Sequence, residues 1–345
     1  MAEWSNAPDS KSGVRVSRTE GSNPSLSASE HGSQHQRHAV MQPIAGCVLD
    51  AQATCACLPF TALLDALARA CQELAAGQIQ CPPRLVVPMA HGALLLSMPA
   101  VAADVVSHKL ITVTPANAAR GEPTIRGQLS VLDPIDGHLQ LLLDGPAVTG
   151  RRTAAMSTLG LRALWPRGPQ RVLVIGTGAQ AQHHVDALAA LHPAVPVRVR
   201  GSSGAAAESF CARLQGSHPL LAPDDSDDRF DVVITCTTSR TPVYRAAARA
   251  DRLLIATGAF QSDAAEIAAD TVRASTVFVD DPVGAEHEAG DILQAAVPWA
   301  EVRSLAFALE RGAPSPARPM LFKTVGCAAW DLAAARVALA HRSLP

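Results

Sequence analysis

A chain of 345 residues is long for a single hydrophobic core, so two domains are expected, and 29 Lys and Arg set against 31 Asp and Glu leave a formal charge of -2. That balance gives no electrostatic reason to bind nucleic acid or an anionic membrane surface. No apolar run reaches the ~18 residues of a membrane helix, residues 1–40 lack a signal peptide's apolar core, and the eight cysteines contain no C-x-x-C, so reduced thiols in a cytoplasmic protein are expected.

Residues 1–40 are rich in Ser, Asn, Gly and charge and show no hydrophobic period, so a disordered tail is expected there, with Met41 as a plausible natural start. The stretch PFTALLDALARACQELAAG (59–77) opens on a proline and repeats Leu63, Leu64, Leu67, Cys71 and Leu74 on one face, which predicts a helix. Strands follow in RLVVP (84–88), GALLLSMPA (92–100), DVVSHKLITVTP (104–115) and the pair in 127–144, where Asp136-Gly137 signals a hairpin. Lys109 interrupts an otherwise apolar strand, so its ammonium must reach solvent or find an anion.

The middle of the chain changes character. In RVLVIGTGAQAQHHVDALAALHP (171–193) a continuous apolar run turns on Gly176-Thr177-Gly178-Ala179-Gln180-Ala181 and continues with Val185, Leu188 and Leu191 at helical spacing. This is G-x-G-x-x-A in its required strand-turn-helix setting, with the helix N-terminus as the pyrophosphate site. Short apolar strands at 195–200, 231–238, 252–258 and 275–281, with a helix near Ala205 to Leu214, predict a doubly wound α/β domain. The segment 324–342 predicts an apolar-faced helix returning to the first domain. The second strand ends in VRVRGSSG, offering Arg198, Arg200, Ser202 and Ser203 without an acid, which favours NADPH over NADH; alternation allows one arginine to face the site, and Arg200 is preferred. The acidic loop at Asp224, Asp225, Asp227 and Asp228 reads as a solvated turn, adjacent His183 and His184 do not share a helix face, and no metal site is expected.

Taken together, RVLVIGTGAQAQ, TGRRTAAMSTLG, HKLITVTPAN, TGAFQSDAAEIAADTVRASTVFVDD and FKTVGCAAWDLAAAR resemble the ornithine cyclodeaminase/mu-crystallin family, within it most nearly its bacterial cyclic ketimine reductases. The resemblance implies a homodimer with a Rossmann-type nucleotide domain (151–304) inserted into a split α+β substrate and dimerisation domain (41–150 plus 305–345). It maps substrate-binding cations onto Arg84, Lys109 and Arg152; cationic groups converging on one carboxylate suit a cyclic imino acid, and because hydride attack needs the iminium form, Lys109 is the expected catalytic residue, with Lys109 or an ordered water as the donor. Thr153, Gly176, Thr177, Gly178, Ala179, Gln180, Arg200, Ser202, Ser203 and Thr237 form the expected cofactor set, for NADPH with NADH weaker. Gly258-Ala259-Phe260 stands where cyclodeaminases carry an aspartate, which argues against ornithine cyclisation. Relatives often place an arginine where this chain has Ser202. The expected activity is reduction of Δ1-piperideine-2-carboxylate and Δ1-pyrroline-2-carboxylate to L-pipecolate and L-proline. The rivals are an alanine dehydrogenase-like or N-alkyl amino acid enzyme, and a crystallin-like binding protein without turnover.

Overall fold

Apolar alternation followed by continuous apolar strands produces two sheets of different construction. The computed structural model describes residues 47–225, 228–312 and 317–342; the tail expected over 1–40 lies outside them. Helices α1 (Ala51–Ala56) and α2 (Phe60–Ala75) precede five strands, β1 (Leu85–Pro88), β2 (Leu94–Val101), β3 (Val106–Val113), β4 (Ile125–Leu132) and β5 (Leu139–Asp144). These form an antiparallel sheet in sequence order, and Gly137 takes the left-handed conformation (φ 75°) that its hairpin turn requires. Alternation along β3 buries Ser107, Lys109 and Ile111, which sets Lys109 in register with Met98 on one side and Leu129 on the other.

Helix α3 (Gly145–Leu164) connects the sheets and is not expected from periodicity, because it is buried on nearly every side and so shows no clean apolar stripe. Asp144 caps its first turn by accepting the Ala147 N–H at 2.7 Å. Two glycines permit its close packing. A Cβ on Gly150 would fall 1.9 Å from the His183 ring, and one on Gly160 would fall 2.3 Å from the Phe322 ring.

Beyond α3 come β6 (Val172–Ile175), α4 (Ala179–Leu191), β7 (Val197–Arg200), α5 (Gly204–Leu214), β8 (Leu221–Pro223), β9 (Val232–Thr235) and β10 (Leu253–Ala256). The chain continues through α6 (Ala269–Arg273), β11 (Thr276–Val279), α7 (Pro282–Glu288), α8 (Gly290–Ala295), β12 (Arg303–Ser304), α9 (Leu305–Arg311), β13 (Met320–Lys323) and α10 (Ala328–Arg342). The eight strands β6 to β13 pair in the order β12-β11-β13-β10-β9-β6-β7-β8, all in parallel. The order reverses between β6 and β9, the switch point at which doubly wound sheets bind ligands. Central strands β6, β9, β10 and β13 are buried throughout.

The expected domain boundary at residue 305 needs correction. Strand β13 lies inside the parallel sheet, bonded to β10 and to β11, so the chain re-enters that sheet at Met320–Lys323. Helix α9 also packs on α2 and α3, and after Lys323 helix α10 packs on α2, α3 and strands β2 and β3. Gly160→Val is expected to lower stability by roughly 1–3 kcal/mol, as overpacking does, because Phe322 in β13 has no room to retreat; the denaturation midpoint measures it.

Candidate active site

Lys109 finds its anion inside the protein. Its Nζ lies 2.7 Å from Asp331 Oδ2, with the lysine side chain 1% and the aspartate 0% exposed. The other oxygen, Oδ1, accepts from Arg152 Nε at 3.1 Å. Asp331 is delivered by the first turn of α10, Arg152 by α3 and Lys109 by β3, so one carboxylate ties three elements together. Burial, aided by the nearby charges of Arg152 and Arg84, brings the Lys109 pKa down to about 8 against the raising effect of Asp331.

Arg84, just before β1, completes the group. It donates to the carbonyls of Val325 (3.0 Å) and Gly326 (2.6 Å) and pairs with Glu288 at 2.8 Å. Gly326 (φ 75°) adjoins Arg152 as well, since a Cβ there would fall 2.6 Å from its NH1. The segment carrying these carbonyls is pinned by buried Asp280, which accepts from Thr324 Oγ1, the N–H groups of Val325 and Gly326, and Trp330 Nε1, at 2.6 to 3.1 Å. Lys109, Arg152 and Arg84 thus meet the carboxylates of Asp331 and Glu288, with Asp280 and Asp281 bordering the same hollow as Arg84, and burial raises the Glu288 pKa. Among the described residues the two terminal nitrogens of Arg152 make no hydrogen bond. Hollows of about 410 and 330 Å³ lie on the two sides of Arg84, the second against Leu94, Leu96, Phe260 and His287.

The carboxyl ends of the parallel strands hold a second buried network. Glu266 accepts the Thr237 N–H (2.7 Å) and hydroxyl (2.9 Å) with Oε1 and the Gly258 N–H (2.6 Å) with Oε2. Asp291 Oδ1 accepts the N–H groups of Glu266 and Ile267, and its Oδ2 pairs at 2.8 Å with Lys323, both side chains being fully buried. Sequence reasoning singled out Thr237 but missed Glu266, Asp280, Asp291, Lys323 and Asp331. The available signal was an acid or lysine inside an apolar segment, the same signal that marked Lys109.

At the glycine turn, Gly176 has φ 136°, and a Cβ there would strike the Cys236 carbonyl at 2.7 Å. Gly178 is the N-cap of the 13-residue α4, has no side-chain cap, and a Cβ on it meets nothing within 4 Å. Open backbone N–H groups at a helix start, approached by a glycine with free space before it, fit a pyrophosphate. Thr177 and Gln180 border the turn half-buried and Ala179 is exposed, while Thr153 is buried in α3 next to Arg152. Helix α4 is riveted to α3 by His184, whose Nδ1–H donates to the Gln180 carbonyl (2.7 Å) while Nε2 accepts from Ser157 Oγ (2.9 Å). Burial takes that imidazole down to about 4, so it is neutral near pH 7.

The ribose end differs from expectation in one respect. Ser202 and Ser203 are exposed, and Ser203 caps α5 by accepting the Ala206 N–H. Arg200 stands at the end of β7, but the acidic loop is not simply a solvated turn: Asp224 accepts from Arg200 Nε at 2.7 Å, and Asp225 pairs with Arg171 at 2.7 Å. The acid missing from β7 is supplied by the neighbouring strand's end.

A dinucleotide turn whose sheet ends converge on a buried, cation-rich group is the arrangement of a nucleotide-dependent enzyme acting on an anionic small molecule. The chain belongs to the ornithine cyclodeaminase/mu-crystallin family, whose model matches residues 47–341. It is 56% identical over 292 residues to Δ1-pyrroline-2-carboxylate reductase 2 of Burkholderia ambifaria, covering 84% of this chain and 94% of that one. It is 53% identical over 294 residues, with the same coverage, to the Δ1-pyrroline-2-carboxylate/Δ1-piperideine-2-carboxylate reductase of Azospirillum brasilense. Among solved structures, Thermococcus litoralis Δ1-pyrroline-2-carboxylate reductase in complex with NADH and L-proline superposes with a TM-score of 0.79 at 23% identity, over 86% of this chain and 97% of that one. An archaeal alanine dehydrogenase dimer with bound NAD gives 0.76 at 20% identity, over 86% and 95%.

Asp331→Ala strands two buried cations without their anion, so a stability loss of about 3–5 kcal/mol is expected. A thermal unfolding scan of the variant beside the parent measures it.

Proposed function

We propose that the protein reduces cyclic imines bearing an α-carboxylate, Δ1-pyrroline-2-carboxylate and Δ1-piperideine-2-carboxylate, to L-proline and L-pipecolate, with NADPH preferred over NADH. The observation that carries this reading is the convergence of Lys109, Arg152 and Arg84 in one group, with the terminal nitrogens of Arg152 uncommitted. A carboxylate is the anion that a planar guanidinium holds in two-point geometry. The names of the relatives at 53–56% identity supply the ring chemistry.

Gly176, Thr177, Gly178, Ala179 and Gln180 would hold the pyrophosphate of a nicotinamide nucleotide, which when bound would supply the hydride. Everything else falls to the chain. Arg152, with Arg84 released from Glu288, orients the substrate carboxylate, and Lys109 keeps a proton next to the imine nitrogen, since the iminium form is the hydride acceptor. Asp331 holds Lys109 and Arg152 at fixed positions and Glu266 fixes Thr237 and Gly258, so the groups around the reacting ring are set before binding. Arg200, Ser202 and Ser203 lie at the ribose end, where Arg200 receives a 2′-phosphate. The nucleotide unit spans β6 to β13, and the remainder of the described chain forms the substrate unit. A homodimer in the cytoplasm completes this reading: edge strand β1 leaves Leu85 60%, Val86 44% and Val87 40% exposed, an apolar edge that a second copy covers. No described helix is long and apolar enough to cross a membrane.

The test is nucleotide oxidation followed with both cofactors against both ring sizes, with pyruvate plus ammonia as the competing substrate. Turnover of the cyclic imines is expected; activity with pyruvate and ammonia alone would sink the proposal, and nucleotide binding without turnover would favour a binding protein. Lys109→Met should cut kcat/KM by roughly 30- to 1,000-fold while NADPH affinity stays near normal, because a desolvated charged contact is worth about 2–4 kcal/mol. In the parent enzyme the protonated ammonium is the active form, so with a pKa of about 8 the rate should fall as pH rises through that value.

A further inference from the structure

The ribose end of the site contains a carboxylate that the dinucleotide motif does not name. Strand β8 ends at Pro223, and the next residue, Asp224, donates its N–H to the Val199 carbonyl at 2.8 Å, which draws it against the end of β7. Its Oδ2 lies 2.7 Å from both Nε and NH2 of Arg200. The pair is asymmetric: the Asp224 side chain is 9% exposed and that of Arg200 43%. The Arg200 carbonyl in turn accepts the Gly176 N–H at 2.9 Å, so the ion pair stands directly beside the glycine turn. The second arginine of the strand looks elsewhere, with Arg198 Nε 3.5 Å from Asp225.

We propose that Asp224 is a specificity-determining residue for the nucleotide: it occupies Arg200 and so narrows the preference for a 2′-phosphate over a 2′-hydroxyl. This rests on the reading of Arg200 as the 2′-phosphate ligand. The physical reasoning has two parts. A phosphate dianion arriving at Arg200 must share a guanidinium already engaged by a carboxylate, and it is repelled by that carboxylate's charge. A ribose 2′-hydroxyl carries no such charge and can donate to a carboxylate oxygen, the role that an acid at the end of the second strand plays in NAD sites. The net charge of the pair is zero, so the site as built accommodates both nucleotides. Neutralising Asp224 leaves Arg200 uncompensated and its fork free. A merely structural tie between β7 and β8 explains the pair poorly, because ion pairs with one partner this exposed contribute little to stability.

The experiment compares Asp224→Asn, Asp224→Ala and Arg200→Ala with the parent. It uses kcat/KM for NADPH and NADH on the same imine, and calorimetric affinities for 2′,5′-ADP and for 5′-ADP. Asp224→Asn and Asp224→Ala should each raise the NADPH to NADH ratio by about tenfold and tighten 2′,5′-ADP by a similar factor, with 5′-ADP unchanged or weaker. Each ratio is taken within one protein, so partial loss of folding does not move it. If Arg200→Ala loses NADPH and 2′,5′-ADP selectively but both Asp224 variants keep the parental ratio, Asp224 is a strand tie and this inference is overturned while the phosphate reading stands. If Arg200→Ala is also without selective effect, both fall.

Discussion

Burying two cations obliges this protein to bury an anion with them. Asp331 meets that demand with one oxygen on Lys109 and the other on Arg152, and because the three residues come from β3, α3 and α10, the contact cannot form until the antiparallel sheet, the linking helix and the C-terminal helix are all in place. A buried ion pair is poor evidence for stability, since desolvation offsets much of the attraction, but it is effective at fixing position: any other placement of these groups leaves a charge unpaired in an apolar interior. The cluster therefore holds its cations in fixed orientation.

The same device recurs at the nucleotide side. Glu266 collects the ends of β9 and β10, Asp291 ties Glu266 to Lys323 on β13, and Asp280 gathers the segment from Thr324 to Gly326 on which Arg84 rests. Parallel strands end in backbone groups with no further partner in the sheet, and buried carboxylates satisfy several of them at once. Because β13 separates β10 from β11 and leads directly into the segment before α10, the turn that carries Arg84's acceptors is set by the nucleotide sheet. The two sheets are coupled through those few residues as well as through α3.

Much of the fold was legible in the chain because it rests on local rules. Apolar stretches and the Asp136-Gly137 turn marked β2 to β5, continuous apolar runs marked β6, β9, β10 and β11, and the turn at Gly176 and Gly178 required glycine for reasons of backbone geometry alone. Helix α3 and strand β13 escaped the same rules. The helix is buried on nearly all sides and so lacks an amphipathic stripe, while β13 is four residues long and ends in a lysine that only its pairing with Asp291 makes tolerable.

The site divides in the same way. Sequence by itself determined that a dinucleotide turn stands at mid-chain and that Lys109, a charge within an apolar strand, had to reach solvent or find an anion, since both follow from the chemistry of neighbouring residues. Only the tertiary structure decided which anion that is, because Asp331 lies on another element and no spacing rule links it to Lys109. It also brought Asp224 from β8 to Arg200 on β7, supplying the acid that the second strand lacks. Ion pairs between elements depend on sheet order and helix placement, and neither is written in the local pattern of the residues that form them.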